Sequence, residues 1–268
     1  MCPVSLYDTV RVRASAEGPI RLTLHCGVEA ERLGCRAEDW PKPNENLVVR
    51  ALARLREWAG ISSGAEVRLV KRIPVAAGLG GGSSDAAAAL AAGNRAWGLG
   101  LSAEELAGVA AELGSDVPFF LTGTPAICRG RGERIEPFPG QGLLHFVVAR
   151  PPAGLSTAAV YRVCRPAERP ESLECLLHAL QEYDLPRVGR LLFNRLQPAA
   201  ETLSPWIERL RGVFGRQDVL GHGMSGSGTA YFALCRHAAH ARRVARRVSG
   251  CGIGVVFAVR SCPHAPLA

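Results

Sequence analysis

The stretch Pro74-Val75-Ala76-Ala77-Gly78-Leu79-Gly80-Gly81-Gly82-Ser83-Ser84-Asp85 sets four glycines and two serines directly ahead of an alanine-rich segment that reads as a helix. Glycine reaches φ > 0 at little cost, so successive backbone N–H groups in such a run can turn into one concavity. A helix behind the run adds unpaired N–H groups and the positive end of its dipole. The hydroxyls of Ser83 and Ser84 suit phosphate oxygens or a phosphate-bound Mg2+. These residues favour polyphosphate binding; the plainer alternative is a flexible turn with tight helix packing. Two familiar loops do not fit. A Walker A loop needs Gly-Lys, a pair absent from the chain. A dinucleotide loop counted from Gly78 places Ser83 where its last glycine belongs.

Two further segments carry candidate chemistry. Gly114-Ser115-Asp116-Val117-Pro118-Phe119-Phe120 holds one carboxylate between a helix end and an apolar turn. By residue type alone Asp116 reads as an N-cap, since Pro118 favours helix initiation nearby. Gly221-His222-Gly223-Met224-Ser225-Gly226-Ser227-Gly228-Thr229 precedes an apolar strand. It is not a serine-hydrolase elbow, because Ser227 stands where the final glycine of G-x-S-x-G would be. It is either a tight turn between strands or a second glycine loop.

The elements that must position these residues follow from hydrophobic periodicity. Residues 4–13 and 20–24 read as strands, the first with Val10 and Val12 facing opposite to Arg11 and Arg13. A connection through Trp40-Pro41-Lys42-Pro43 leads to Asn44 as an N-cap and to a helix over residues 45–58, with Leu47, Val48, Ala51, Leu52 and Leu55 as its apolar stripe. Residues 66–73 alternate as a strand with Val67, Leu69 and Ile73 inward and Lys71 breaking the pattern. The alanine-rich helix then runs to about Trp97. Ser102-Ala103-Glu104-Glu105 is a capping box for a helix through Leu113, closed by Gly114. Gly140–Gly142 marks a junction. Residues 144–149, 229–235 and 254–259 read as strands, and 172–183 and 203–213 as helices. Mixed strands and helices without a strict βαβ period predict α+β.

The 268 residues, 47% hydrophobic and 21% charged, are ordinary for a globular protein of one large or two medium domains. No apolar run approaches the roughly 20 residues of a membrane span, and the first residues lack the basic flank and apolar core of a signal peptide. A cytoplasmic protein is expected. Nine cysteines without a C-x-x-C pair argue against a disulfide framework or structural zinc. His237 and His240 lack a second ligand cluster, and no carboxylate pair identifies metal ligands. The net charge of +8 raises the question of nucleic acid. However, aromatics are only 6% and do not interleave with the arginines, and Arg242, Arg243, Arg246 and Arg247 have the spacing of a solvated helix face. Neither nucleic acid nor a membrane is an expected partner. Of the 32 basic residues only Lys42 and Lys71 are lysines.

The first glycine stretch resembles the second motif of the GHMP kinases (galactokinase, homoserine kinase, mevalonate kinase, phosphomevalonate kinase), Pro-x-x-x-Gly-Leu-Gly-Ser-Ser. Its longer form, Gly-Leu-Gly-Gly-Gly-Ser-Ser-Asp-Ala-Ala, is similar to the diphosphocytidyl-methylerythritol branch in particular. Residues 114–118 resemble the family's Gly-Ala-Asp-Val-Pro, whose aspartate orients and deprotonates the acceptor hydroxyl. That resemblance makes Asp116 the expected catalytic residue. Residues 221–229 resemble the third motif, in which Ser225, Gly226, Ser227 and Gly228 would close over the phosphates and acceptor. Shorter matches are Ser5-Leu6-Tyr7-Asp8-Thr9, Glu45-Asn46-Leu47, Gly130-Arg131-Gly132-Glu133, Ser156-Thr157-Ala158 with Tyr161, and Asn194-Arg195-Leu196. Tyr161 either stacks on the cytosine of the substrate or belongs to the core.

The resemblance implies a two-domain α+β fold. Residues 1–141 would form an ATP-binding half like ribosomal protein S5 domain 2, and 142–268 a ferredoxin-like half, with the active site in the cleft between them. It implies ATP and Mg2+, and transfer of the γ-phosphoryl group to the 2-hydroxyl of 4-diphosphocytidyl-2-C-methyl-D-erythritol in non-mevalonate isoprenoid precursor synthesis. Another GHMP acceptor, such as homoserine or a mevalonate derivative, is the alternative. The family's opening Ala-Lys-x-Asn-Leu strand and Gly-Tyr-His segment do not occur in this sequence. Either the natural protein carries roughly 30 more residues upstream, or the lysine is absent and the chain is a weak or inactive nucleotide-binding relative. Neither Lys42 nor Lys71 is an obvious replacement.

Overall fold

Alternating residues build the first sheet. The computed structural model describes residues 1–26, 42–138, 142–168 and 171–262. Strands β1 (Thr9–Glu17), β2 (Ile20–Cys26) and β3 (Ser63–Lys71) lie in the order β1-β3-β2. The β1–β3 pair is antiparallel and the β2–β3 pair parallel, so that Val12 and Leu22 both sit beside Val67. The first strand starts later than residue 4 and the third stops before residue 73. Past the end of β3 the N–H groups of Arg72 and Ile73 donate to the Asp8 carboxylate. Along β3, Lys71 continues the buried face of Val67 and Leu69.

Two helices cover this sheet. Helix α1 (Leu47–Ala59) buries Val48, Ala51, Leu52 and Leu55, the stripe its 3.6-residue period predicts apart from Leu47, which is only partly buried. Its cap is Asn46 rather than Asn44: the Asn46 side chain accepts from Val48 N at 2.9 Å. Asn44 is taken up in a short 3-10 turn over Pro43–Glu45, in which Glu45 N and Asn46 N donate to Lys42 O. Trp40 and Pro41 lie outside the described residues. Helix α2 (Gly81–Ala96) buries Ala86, Ala87, Ala89, Leu90 and Gly93, and at Gly93 the lack of a side chain lets Leu52 and Leu55 of α1 approach closely. Helix α3 (Ala103–Leu113) opens with the expected capping box: Ser102 accepts from Glu105 N, and Glu105 accepts from Ser102 N. Helix α4 (Val117–Thr122) and the hairpin β4 (Ala126–Arg129) with β5 (Arg134–Pro137) follow. The shared core joins α1, α2, α3, β3 and Val117. Each fully buried leucine in it contributes about 1.5–3 kcal/mol of transfer free energy.

The second sheet has four strands: β6 (His145–Arg150), β7 (Gly221–Met224), β8 (Tyr231–Cys235) and β9 (Val255–Arg260). Their order is β7-β8-β6-β9 and every pair is antiparallel, the ferredoxin-like arrangement. Helices α5 (Thr157–Val163), α6 (Glu174–Gln181), α7 (Leu185–Arg190), α8 (Leu196–Leu203), α9 (Pro205–Gly215) and α10 (Ala238–Ser249) accompany it. Ile207, Leu210 and Phe214 of α9 and Ala241, Val244, Ala245 and Val248 of α10 pack on Val147, Tyr231 and Ala233. The four arginines of α10 occupy its exposed side, as their spacing predicts. By contact density the chain divides into two units: Met1–Val75, Gly80–Pro139 and Cys262–Ala268 in one, Ala76–Leu79 and Gly140–Ser261 in the other. Of the expected junction at residues 140–142, the first two residues lie outside those described. Among the described residues no helix is long and apolar enough to cross a membrane.

Candidate active site

Helix α2 begins inside the glycine run. Gly80 caps it in the left-handed region (φ 66°) and offers no side chain for the first-turn amides. The first backbone bond of the helix is Ser84 N to Gly80 O at 2.9 Å. The N–H groups of Gly81, Gly82 and Ser83 therefore have no acceptor within the helix, at the end where its dipole favours an anion. The concavity is thus shorter than residues 78–84, because Gly81 onward is already helical. Ser84 Oγ donates to Gly81 O at 2.8 Å, so one of the two predicted hydroxyls is partly engaged. Packing explains why Gly80 and Gly81 lack a side chain. A Cβ on Gly80 would fall 2.7 Å from the Phe120 ring, and one on Gly81 2.9 Å from Ile73.

Pro74 and Val75 belong to the first unit, and Ala76, Ala77, Gly78 and Leu79 to the second. There the loop meets the other glycine segment. Ala230 N donates to Ala77 O at 2.8 Å, and Ser225 Oγ donates to Gly78 O at 2.9 Å. Ala76 holds φ 51°, a conformation that costs a non-glycine residue about 1–2 kcal/mol. Residues 225–230 form the turn between β7 and β8, closed by Ser225 N to Ala230 O and Gly228 N to Ser225 O. Ser227 is 7% exposed and its hydroxyl pairs with Thr157 Oγ1 at 2.7 Å. Sequence reading does not assign the clasp beneath this turn. Asn194 Nδ2 donates to both Met224 O and Gly226 O at 2.8 Å, and Gln197 Oε1 accepts from Met224 N at 3.0 Å. The motif Asn194-Arg195-Leu196 pointed to the place without its role.

Asp116 stands at the start of α4, where its side chain makes no capping bond. It is exposed as a residue, yet the protein crowding its carboxyl raises its pKa above the ordinary aspartate value, partly offset by the Met1 ammonium. The turn of the β4–β5 hairpin lies against it: a Cβ on Gly132 would sit 3.5 Å from Asp116 Oδ1. One turn along α4, Phe120 reaches Gly80. The helix that carries the carboxylate is thus packed on the cap of the helix that carries the free amides. Tyr161, on α5, is 63% exposed, which removes the core alternative.

A further cluster underlies the glycine run. Lys71 Nζ bonds Asp8 and, at 2.7 Å, Asp85 Oδ2, with all three side chains nearly fully buried. Burial raises the Asp85 carboxyl to about 7, opposed by the Lys71 ammonium and reinforced by Asp8. Burial by itself would lower the Lys71 ammonium, but Asp85 and Asp8 outweigh it and hold its pKa above the usual lysine value.

The first unit thus carries a helix N-terminus with uncapped amides and an uncapped aspartate, and the second a tight glycine turn, on an α+β framework. Residues 46–124 match the family described as GHMP kinases N terminal domain, and residues 176–254 match GHMP kinases C terminal. The chain belongs to the GHMP kinases, with their two-domain fold. It is 40% identical over 252 residues to 4-diphosphocytidyl-2-C-methyl-D-erythritol kinase of Pelotomaculum thermopropionicum, covering 92% of this chain and 83% of the relative. It is 42% identical over 238 residues to the enzyme of that name from Symbiobacterium thermophilum, covering 87% and 80%. A crystal structure of 4-(cytidine 5'-diphospho)-2C-methyl-D-erythritol kinase aligns at a TM-score of 0.77 and 35% identity, over 97% of this chain and 88% of that one. Homoserine kinase from Cytophaga hutchinsonii shares the fold, at a TM-score of 0.74 and 22% identity, over 98% and 88%.

Proposed function

We propose that this chain transfers the γ-phosphoryl group of ATP to the 2-hydroxyl of 4-diphosphocytidyl-2-C-methyl-D-erythritol, a step of non-mevalonate isoprenoid precursor synthesis. The observation that carries the reading is the start of α2, where the amides of Gly81, Gly82 and Ser83 lie uncapped behind Gly80. A polyphosphate supplies the acceptors these amides lack. The curated relatives that bear the name of this kinase, at 40% and 42% identity, support the choice of acceptor.

In this mechanism residues 74–84 hold the nucleotide phosphates, and residues 225–228 cover the phosphates and acceptor. Asp116 aligns the acceptor hydroxyl and takes its proton. The hydroxyl oxygen forms a bond to the γ-phosphorus as the bond from that phosphorus to the β,γ-bridging oxygen breaks, and ADP leaves with the electron pair. The transition state is loose, so alignment matters more than base strength, and a single aspartate suffices. Mg2+ would neutralise phosphate charge, and the Ser83 hydroxyl would hold it, since Ser84 is engaged with Gly81. Tyr161 offers its exposed ring to the cytosine.

The test is an assay of ADP release over a panel of acceptors: the cytidyl substrate, homoserine, mevalonate and phosphomevalonate. Turnover is expected with the cytidyl substrate alone. Turnover of another acceptor in its place overturns the assignment of substrate, and ATP binding without turnover of any acceptor overturns the assignment of catalysis.

A further inference from the structure

We infer that Lys71, Asp8 and Asp85 act as a positioning clasp that joins both stems of the nucleotide loop and sets the first turn of α2 for phosphate. This inference rests on the kinase reading above and adds three residues to it.

The loop leaves β3 at Lys71 and re-enters regular structure at Gly81. On the entry side, Asp8 Oδ1 accepts from the N–H of Ile73 at 2.9 Å and from that of Arg72. On the exit side, Asp85 lies in the second turn of α2 and accepts from Lys71 Nζ at 2.7 Å. The same ammonium bonds the other oxygen of Asp8. One lysine therefore ties the segment before β1, the end of β3 and the start of α2 at a single buried point. The ammonium also lies directly behind the amide run, since a Cβ on Gly81 would come within 3.4 Å of Lys71 Nζ.

Stability is a poor explanation for this arrangement. Lys71 and Asp85 are each 4% exposed. Removing such ions from water costs several kcal/mol apiece, and well-packed apolar replacements are often as stable. Geometry is what the cluster supplies. Fixing both ends of a loop removes conformations in which its amides diverge, and that ordering is then complete before the nucleotide arrives. All three side chains are nearly fully buried and paired with one another, so the role assigned to them is positional.

The experiment uses the full chain and compares wild type with Asp85→Asn, which keeps the shape of the side chain, and with Lys71→Met. A non-hydrolysable ATP analogue is titrated by calorimetry, and KM for ATP, KM for the cytidyl acceptor and kcat are measured beside the melting temperature. The expected result is a rise of about 10-fold in the analogue Kd and in KM for ATP, with the acceptor KM within about 2-fold of wild type. Folded Asp85→Asn with wild-type Kd and KM for ATP overturns the inference. So does a variant in which the KM values for ATP and acceptor rise together with a lowered melting temperature, since that is general loosening. A wild-type chain that binds no analogue overturns the kinase reading, and this inference with it.

Discussion

Gly78 and Ser225 stand 147 positions apart in the chain and share one hydrogen bond, from Ser225 Oγ to Gly78 O at 2.9 Å. They approach so closely that a Cβ built on Gly78 would lie 2.3 Å from Ser225 O and 2.8 Å from Gly228 N. Gly78 also holds φ 70°. The two glycine segments are therefore fitted backbone to backbone, and glycine at 78 is required by space as well as by conformation.

Gly78→Ala tests this fit. The backbone atoms it meets cannot swing aside as a side-chain tip would, and the left-handed φ adds its own strain. A loss of about 2–4 kcal/mol in unfolding free energy is expected, with weakened binding of an ATP analogue. Urea denaturation and calorimetry on one preparation read both; wild-type values for each refute the packing argument.

Asp116→Asn separates chemistry from folding. The carboxylate caps nothing, so the melting temperature should stay close to wild type, while kcat falls by about 10²–10⁴. In the proposed role Asp116 would act ionised, and its pKa lies above the ordinary aspartate value. Activity of the wild type should therefore be lost on acidification at a pH above that usual for a free carboxylate. The acid limb of its kcat/KM profile should vanish from the residual activity of the variant.

Asp85 links stability to pH. Its folded-state pKa is raised to about 7 by burial, whereas the unfolded chain releases the proton near about 4. Between these values the folded state binds more protons, so stability falls as pH rises through this window. The contribution is largest below the unfolded pKa and is exhausted above the folded one. Urea midpoints at pH 5 and pH 7.5 should show the decline in wild type and a flatter response in Asp85→Asn. Equal slopes would remove Asp85 as the titrating group.

Two helical glycines should respond to alanine in opposite ways. Gly108 in α3 has open space where a Cβ would sit, so Gly108→Ala should stabilise by about 0.5–1 kcal/mol through helix propensity. Gly93 in α2 faces Leu52 and Leu55, and its Cβ would fall 2.5 Å from Leu52 Cδ2. In a close-packed core the propensity gain is offset by about 1–3 kcal/mol of overpacking, making Gly93→Ala neutral to destabilising. Thermal melts of the two variants side by side decide the matter.

Sequence alone determined what depends on neighbours along the chain. The α1 stripe, the Ser102 capping box, the alanine-rich helix behind the glycines and the exposed arginine face of α10 each follow from a period or a cap within a few residues. The glycine run announced free amides for the same reason, because φ preference and helix ends are local properties. Tertiary structure decided what depends on distant partners. It set Asn46 rather than Asn44 as the cap and left Tyr161 outside the core. It placed Asn194 under the Gly226 turn and gave Lys71, an apparent break in a strand, two carboxylates from 63 and 14 positions away. Periodicity can say that a side chain points inward. Which group it meets there is settled only when segments remote in sequence pack, since the desolvation and pairing of a buried charge have no local signal.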